Sequence, residues 1–344
     1  MPISKEVIQV KRIFTRRRWF ACACALPAGL RQLAFGNQET PFPQSESEPS
    51  APNGLNRFKR AQNRVLARYA LRAQSRFVGL REPALRAHVL AAGRGHPVVL
   101  IHGGGSAAVN FVPLISRLAG AFRCFAPDRP GCGLTDPFDY TNVPFRRHGT
   151  EFIRSVLDAL NLPQASILGN SIGGYWAISF ALAAPERVSK LVLLGEPAGS
   201  SPPPPPRVPP RKPPGGDPSI EAVRARYRVL MANPTRAPAE IIEADYAASR
   251  LPGASLAWNT MLDQLTRTHA SLTYALRPEL RNLKPPALFI WGDKDVQGPP
   301  SLGEEMAELA PNARCEVLPE TGHLPWLDQP DRCTKLLLDF LGSV

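Results

Sequence analysis

The feature that most constrains this chain is a series of short, largely apolar runs. They are Val98-Val99-Leu100-Ile101, residues 122–127, Ser166-Ile167-Leu168, Leu191-Val192-Leu193-Leu194, Leu288-Phe289-Ile290-Trp291 and residues 315–318. A run that is brief and apolar at every position suits a strand covered on both faces. Between the runs lie stretches of helical character, among them 152–160 and 175–184. Strand and helix in alternation predict an α/β fold, a doubly wound and mainly parallel sheet with helices on both sides. With 344 residues, 44% of them apolar, the chain has material for a large core. No run approaches the roughly 20 apolar residues that a membrane span needs.

The alternation stops after Leu194 and resumes near Leu288. Inside that interval, residues 202–214 hold 9 prolines in 13 positions, which excludes helix and central strand and predicts an extended arm. Residues 220–231, 239–249 and 256–274 have helical patterning. The interval 196–285 is therefore expected to be a proline-rich arm and a helical cap, inserted into a core made of 86–195 and 286–344.

Three segments precede the core. Residues 1–36 run from a basic stretch ending Arg16-Arg17-Arg18-Trp19-Phe20 into apolar residues 21–30, which resembles a twin-arginine export signal and implies a periplasmic enzyme. A cytoplasmic enzyme with a basic tail is the competing expectation. Residues 37–54, rich in Pro, Ser and Glu, are expected to be a flexible linker. In 55–85, Arg60, Arg64, Arg68, Arg72 and Arg76 recur every fourth residue beside the apolar stripe Phe58, Ala61, Val65, Tyr69 and Ala73. That spacing predicts a basic amphipathic helix, whose Arg57 to Arg76 face could meet an anionic membrane surface or simply be solvated.

The net charge of +12 lies ahead of the core: residues 1–36 carry 7 basic and 1 acidic side chains, and residues 54–94 carry 10 and 1. Residues 95–344 are neutral overall, with 24 of each sign. A nucleic-acid enzyme concentrates positive charge around its active groove, so a nucleic-acid partner is not expected. The six cysteines have neither zinc-site spacing nor the density of a disulfide framework, and are expected to be free thiols.

The chemistry sits at strand ends. Gly169-Asn170-Ser171-Ile172-Gly173-Gly174 lies between the strand ending at Leu168 and the helix starting near Tyr175. A serine on so sharp a turn is pushed out of the sheet, and residues two before and two after it must be small, as Gly169 and Gly173 are. Its hydroxyl needs a base, and the base a carboxylate that fixes its tautomer. Trp291-Gly292-Asp293-Lys294-Asp295 and Gly322-His323 each follow a strand, where open parallel sheets hold their ligands. Of six histidines, only His323 has a strand before it, a helix after it and an acid upstream. His102, followed by Gly103-Gly104-Gly105, fits a structural role in a loop that offers backbone amides. Gly104 and Ile172 are the expected oxyanion donors, and Gly105, Asn110, Asn170 and Trp326 the expected pocket, with core packing the plainer reading for Trp326. Asp128 is expected to order its own turn rather than take part in catalysis.

Taken with Asp128-Arg129-Pro130-Gly131-Cys132-Gly133, these motifs resemble the α/β-hydrolase superfamily over residues 86–344, including its Ser, Asp, His chain order. In that family the acid closes a Gly-x-x-Asp, which selects Asp295 and leaves Asp293 as the fallback. The resemblance implies a Ser171-His323-Asp295 triad and no metal, nucleotide or redox cofactor. Gly169-Asn170-Ser171 and the long cap are similar to the hydrolases that split carbon–carbon bonds in ring-cleavage products. Those enzymes carry a Trp directly after the catalytic His, whereas Leu324 follows His323. The expectation drawn is therefore the broader one, a capped serine esterase acting on a small apolar ester, with vinylogous diketone cleavage as the alternative. A ligand-binding protein on the same fold is the reading from another class.

Overall fold

The computed structural model describes residues 52–196, 219–267 and 276–343. The expected targeting segment, most of the expected linker and the proline arm lie outside the described residues.

Eight strands form one sheet in the order β1-β2-β4-β3-β5-β6-β7-β8. They are β1 (Gln74–Arg81), β2 (Ala84–Ala92), β3 (His96–Ile101), β4 (Phe122–Pro127), β5 (Ala165–Asn170), β6 (Val188–Leu194), β7 (Ala287–Gly292) and β8 (Ala313–Leu318). β2 runs antiparallel to β1 and β4, and every other pairing is parallel. This is the expected α/β fold, with all six runs in the sheet, but 315–318 falls in the edge strand β8, where Val317 is exposed rather than covered on both faces. The continuity of the inner runs has a simple cause: in β3, Val98 and Leu100 point into one core while Val99 and Ile101 point into the other. β6 and β7 divide in the same way, with Val192, Leu194, Leu288 and Ile290 on the first side and Leu191, Leu193 and Phe289 on the second.

Helices α2 (Val112–Leu118), α3 (Phe145–Ala159), α4 (Ile172–Ala183), α8 (Ser301–Leu309), the short α9 (Pro325–Asp328) and α10 (Pro330–Gly342) cover the two faces. Between β6 and β7 the described residues hold an insert of three helices, α5 (Ile220–Leu230), α6 (Ala239–Ser249) and α7 (Ala254–Arg267).

The N-terminal region departs from expectation. The basic helix α1 spans Pro52–Arg68 rather than 55–85, and Arg76 lies in β1. The helix ends where Ala70 turns left-handed (φ 47°), and the chain then enters the β1-β2 hairpin, so the sheet begins at Gln74 rather than near residue 86. Phe58, Ala61 and Val65 of α1 are buried in the same core as Ile241 and Ala244 of α6. Arg64 and Arg68 pair with Glu243 and Glu240 at 2.7 and 3.1 Å. Cys124, Cys132, Cys315 and Cys333 are free thiols, and burial pushes those of Cys124, Cys315 and Cys333 up to about 12.

Candidate active site

Ser171 joins β5 to α4 with φ 51° and ψ −126°, a left-handed conformation that a side-chain-bearing residue adopts only under constraint from its surroundings. The constraint is close packing. A Cβ on Gly169 would stand 2.5 Å from the Gly173 carbonyl oxygen, and one on Gly173 would stand 2.7 Å from that of His102. The Ser171 hydroxyl does not cap α4. Its amide donates to Leu194 O at 3.2 Å, and Asn170 Nδ2 donates to the same oxygen at 2.9 Å and to His323 O at 3.4 Å. Asn170 thus ties the serine turn to the histidine loop.

Asp295 and His323, on the loops after β7 and β8, meet directly. His323 Nδ1 lies 2.9 Å from Oδ2 and 3.1 Å from Oδ1 of Asp295, and both side chains are buried. A carboxylate can only accept, so Nδ1 carries the hydrogen and Nε2 is left with its lone pair. The Gln297 amide donates to Asp295 Oδ1 at 2.8 Å. Asp293 has a different partner, the Thr321 amide at 3.1 Å, and steadies the loop that carries His323. Gly195 leaves room for the pair: a Cβ there would stand 2.7 Å from Asp295 Oδ2 and 2.9 Å from His323 Nδ1.

His102 is occupied at both nitrogens. Nε2 accepts from the Arg129 amide at 2.9 Å, so Nδ1 is the protonated nitrogen and donates to Gly103 O at 2.9 Å. Burial, aided by the Arg129 charge, pulls its pKa down to about 3. A histidine so held is a neutral structural group. Gly103 is beside the serine, since a Cβ on it would stand 3.4 Å from Ser171 Cβ. Gly104 is roofed by Trp258 of α7, and a Cβ on it would stand 2.9 Å from that ring and 3.2 Å from Ile172.

Five polar residues to which the sequence assigned no role organise the surroundings: Arg129, Arg226, Tyr227, Asp245 and Asp328. Arg129, fully buried, donates from Nη2 to Gly103 O at 2.9 Å and lies 5.2 Å from the Trp176 ring. Arg226 of α5 donates to Gly105 O and, at 2.7 Å, to the buried Asp245 of α6. Tyr227 OH donates to Asp245 at 2.7 Å and accepts from Asn110 Nδ2 at 2.7 Å. Burial raises the Asp245 pKa despite these donors. Asp328 accepts from the amides of Gly322, Ala232 and Asn233 at 2.9 to 3.0 Å, and His323 N donates to Leu230 O at 2.6 Å. The insert and the histidine loop are joined by these bonds.

Asn110 therefore sits in the polar cluster between the glycine loop and the insert. Trp326 is packed on Phe111, with ring centroids 5.1 Å apart, and donates to Asn110 O at 3.1 Å. A cleft of about 450 Å³ is lined by Tyr69, Arg117, Arg236 and Trp326 among others, and includes none of Ser171, Asp295 or His323. Among the described residues no cluster of three or more His, Cys, Asp or Glu is placed to hold a metal ion.

The sequence pattern of the Alpha/beta hydrolase family matches residues 98–336. The 2-hydroxy-6-oxononadienedioate/2-hydroxy-6-oxononatrienedioate hydrolase of Paraburkholderia phymatum is 32% identical, covering 79% of this chain and 96% of that protein. The 2-hydroxy-6-oxo-6-phenylhexa-2,4-dienoate hydrolase of Burkholderia cepacia is 28% identical, over 78% and 96% respectively. Among solved structures, a meta-cleavage product hydrolase from Pseudomonas fluorescens IP01 superposes with a TM-score of 0.67 at 29% identity, over 78% of this chain and 97% of its own. A Bacillus subtilis carboxylesterase superposes at 0.68 and 21% identity over 85% and 100%, which speaks for the fold alone.

Proposed function

The chain belongs to the alpha/beta hydrolase family, and from that premise we propose that it hydrolyses a carbon–carbon bond beside a ketone in a vinylogous diketone. The observation that carries this reading is the match to dienoate hydrolases across 96% of their own length, together with the serine, acid and histidine loops lying within residues 98–336, which the family pattern matches. This sets the carbon–carbon reading ahead of the ester reading.

In this proposal Ser171 Oγ attacks the ketone carbon and its proton passes to His323 Nε2. Asp295 holds His323 through Nδ1 and stabilises the imidazolium. The amides of Gly104 and Ile172 receive the oxyanion, with Arg129 and Arg226 fixing the glycine loop from either end. As the carbonyl re-forms, the carbon–carbon bond breaks, and its electron pair enters the conjugated oxo system of the leaving fragment, which is then protonated. Water, deprotonated by His323, hydrolyses the Ser171 ester to a carboxylic acid. Helices α5–α7 act as a cap, and the Asp245 cluster with Asn110 forms part of the wall above the glycine loop.

The test is turnover of 2-hydroxy-6-oxo-6-phenylhexa-2,4-dienoate beside p-nitrophenyl acetate. Loss of the dienolate absorbance with release of benzoate is expected, and Ser171→Ala should slow it by about 10³-fold or more. An intact dienoate together with rapid ester turnover would replace this reading by the capped serine esterase. If neither compound turns over, a binding role on this fold takes its place.

A further inference from the structure

A second serine, histidine and aspartate stand in line far from Ser171 in sequence, and the proposed reaction does not use them. His88 of β2 is buried; its Nδ1 lies 2.7 Å from Asp128 Oδ2, and its Nε2 lies 2.8 Å from the hydroxyl oxygen of Ser75 on β1. Asp128 also accepts from the amides of Ala108 and Leu134, at 2.6 and 2.8 Å. A carboxylate at Asp128 fixes the hydrogen of His88 on Nδ1. Nε2 then offers its lone pair, and Ser75 must donate to it.

The order of bonds is that of an activated serine. Three strands fix it: β1 and β2 pair in register, with Phe77 opposite His88, and Asp128 follows β4, next to β2. The His88 amide donates to Thr135 Oγ1 at 2.9 Å, which holds the base against the Asp128 loop. Unlike its two partners, Ser75 is exposed. On the same face of the hairpin, Phe77 is 42% exposed, with the Arg86 guanidinium 4.5 Å from its ring centre. The serine therefore faces solvent beside an apolar ring with a cation stacked on it.

We propose that Ser75 is a second nucleophilic serine, open to covalent modification by small activated acyl and phosphonyl electrophiles, with His88 as its base and Asp128 positioning that base. With a fluorophosphonate, Ser75 Oγ bonds to phosphorus as the P–F bond breaks. Its proton moves to His88 Nε2 and fluoride leaves. With an aryl ester, the acyl group passes to Ser75 and the phenolate leaves. The product is a stable ester at Ser75.

The probe is an alkyl fluorophosphonate on the full chain carrying Ser171→Ala, which removes the principal nucleophile and makes the outcome independent of the reading of Ser171. Intact mass and peptide mapping should show one adduct, at Ser75, that disappears when Ser75→Ala is added. His88→Gln should slow its formation at least tenfold. Labelling of Ser75 in the same Ser171→Ala chain should also vanish in concentrated urea, which separates the three strands, and this arm decides the matter if the His88 variant fails to fold. The proposal is overturned if Ser75 takes no label, if the label lies elsewhere, if the rate survives His88→Gln in a folded chain, or if it survives urea.

Discussion

Asp293 and Asp295 are two residues apart and have different partners, and that difference can be measured. Asp293 accepts from a backbone amide, which an asparagine carbonyl can also do, so Asp293→Asn should lower kcat/KM by less than about tenfold. Asp295 holds the Nδ1–H of His323, and an amide there offers a competing donor, so Asp295→Asn should lower kcat roughly 10³- to 10⁴-fold. Equal effects in steady-state kinetics would reject the roles assigned to them. Gly195→Ala tests the same pair from outside: the added methyl falls within 3 Å of both groups, at a φ of +54° that disfavours any side chain. It should lower kcat while leaving the β6 pairing intact.

At the scale of elements, the inner strands β3, β6 and β7 were legible because 98–101, 191–194 and 288–291 are apolar at every position and buried on both faces. The β1-β2 hairpin was not. The every-fourth arginine spacing continues through Arg72 to Arg76, past the point where Ala70 ends the helix, and the alternating exposure of β1 is hidden in a stretch that suits a helical stripe equally well. In the candidate site, the strand-end positions of Ser171, Asp295 and His323 were legible from their glycines and flanking strands. Asp245, Arg226 and Asp328 were not, because each is a lone polar residue whose partners come from other elements, Ser106 and Asp245 being 139 positions apart. Asp328 illustrates what such a residue does. Asp328→Ala strands three backbone amides beside the histidine loop, and should destabilise the protein by about 3 kcal/mol in urea titration while also lowering kcat. A change below about 0.5 kcal/mol would mean that water replaces the carboxylate without loss.

Two buried histidines give the whole molecule a pH dependence. Burial, with the Arg129 charge, holds His148 at about 4 and His102 at about 3, against 6.5 for the ordinary side chain. The unfolded chain takes up protons as the pH falls through about 6.5, and the folded chain does not until much lower. Their contribution to stability is therefore complete above about 6.5 and declines as the pH drops toward the folded values, by up to about 1.4 kcal/mol per pH unit for each group. Thermal midpoints should fall between pH 7 and pH 4.5, and His148→Gln should flatten that slope. An unchanged slope would remove His148 as a contributor.

The sheet ends at β1 on one side and β8 on the other, and both carry charge: Arg76 and Arg81 on the first, Arg314 and Glu316, 3.5 Å apart, on the second. An open strand edge is a template on which a second chain can pair and begin a precipitate, and charged side chains are a common deterrent. Two copies meeting β1 to β1 would bring arginines together, and two meeting β8 to β8 would have to break or crowd an ion pair. Replacing Arg314 and Glu316 by Val and Thr should leave the fold and the site untouched, yet raise light scattering with time in concentrated solution. Colloidal behaviour would then be set at the rims of the sheet, independently of the chemistry at its centre.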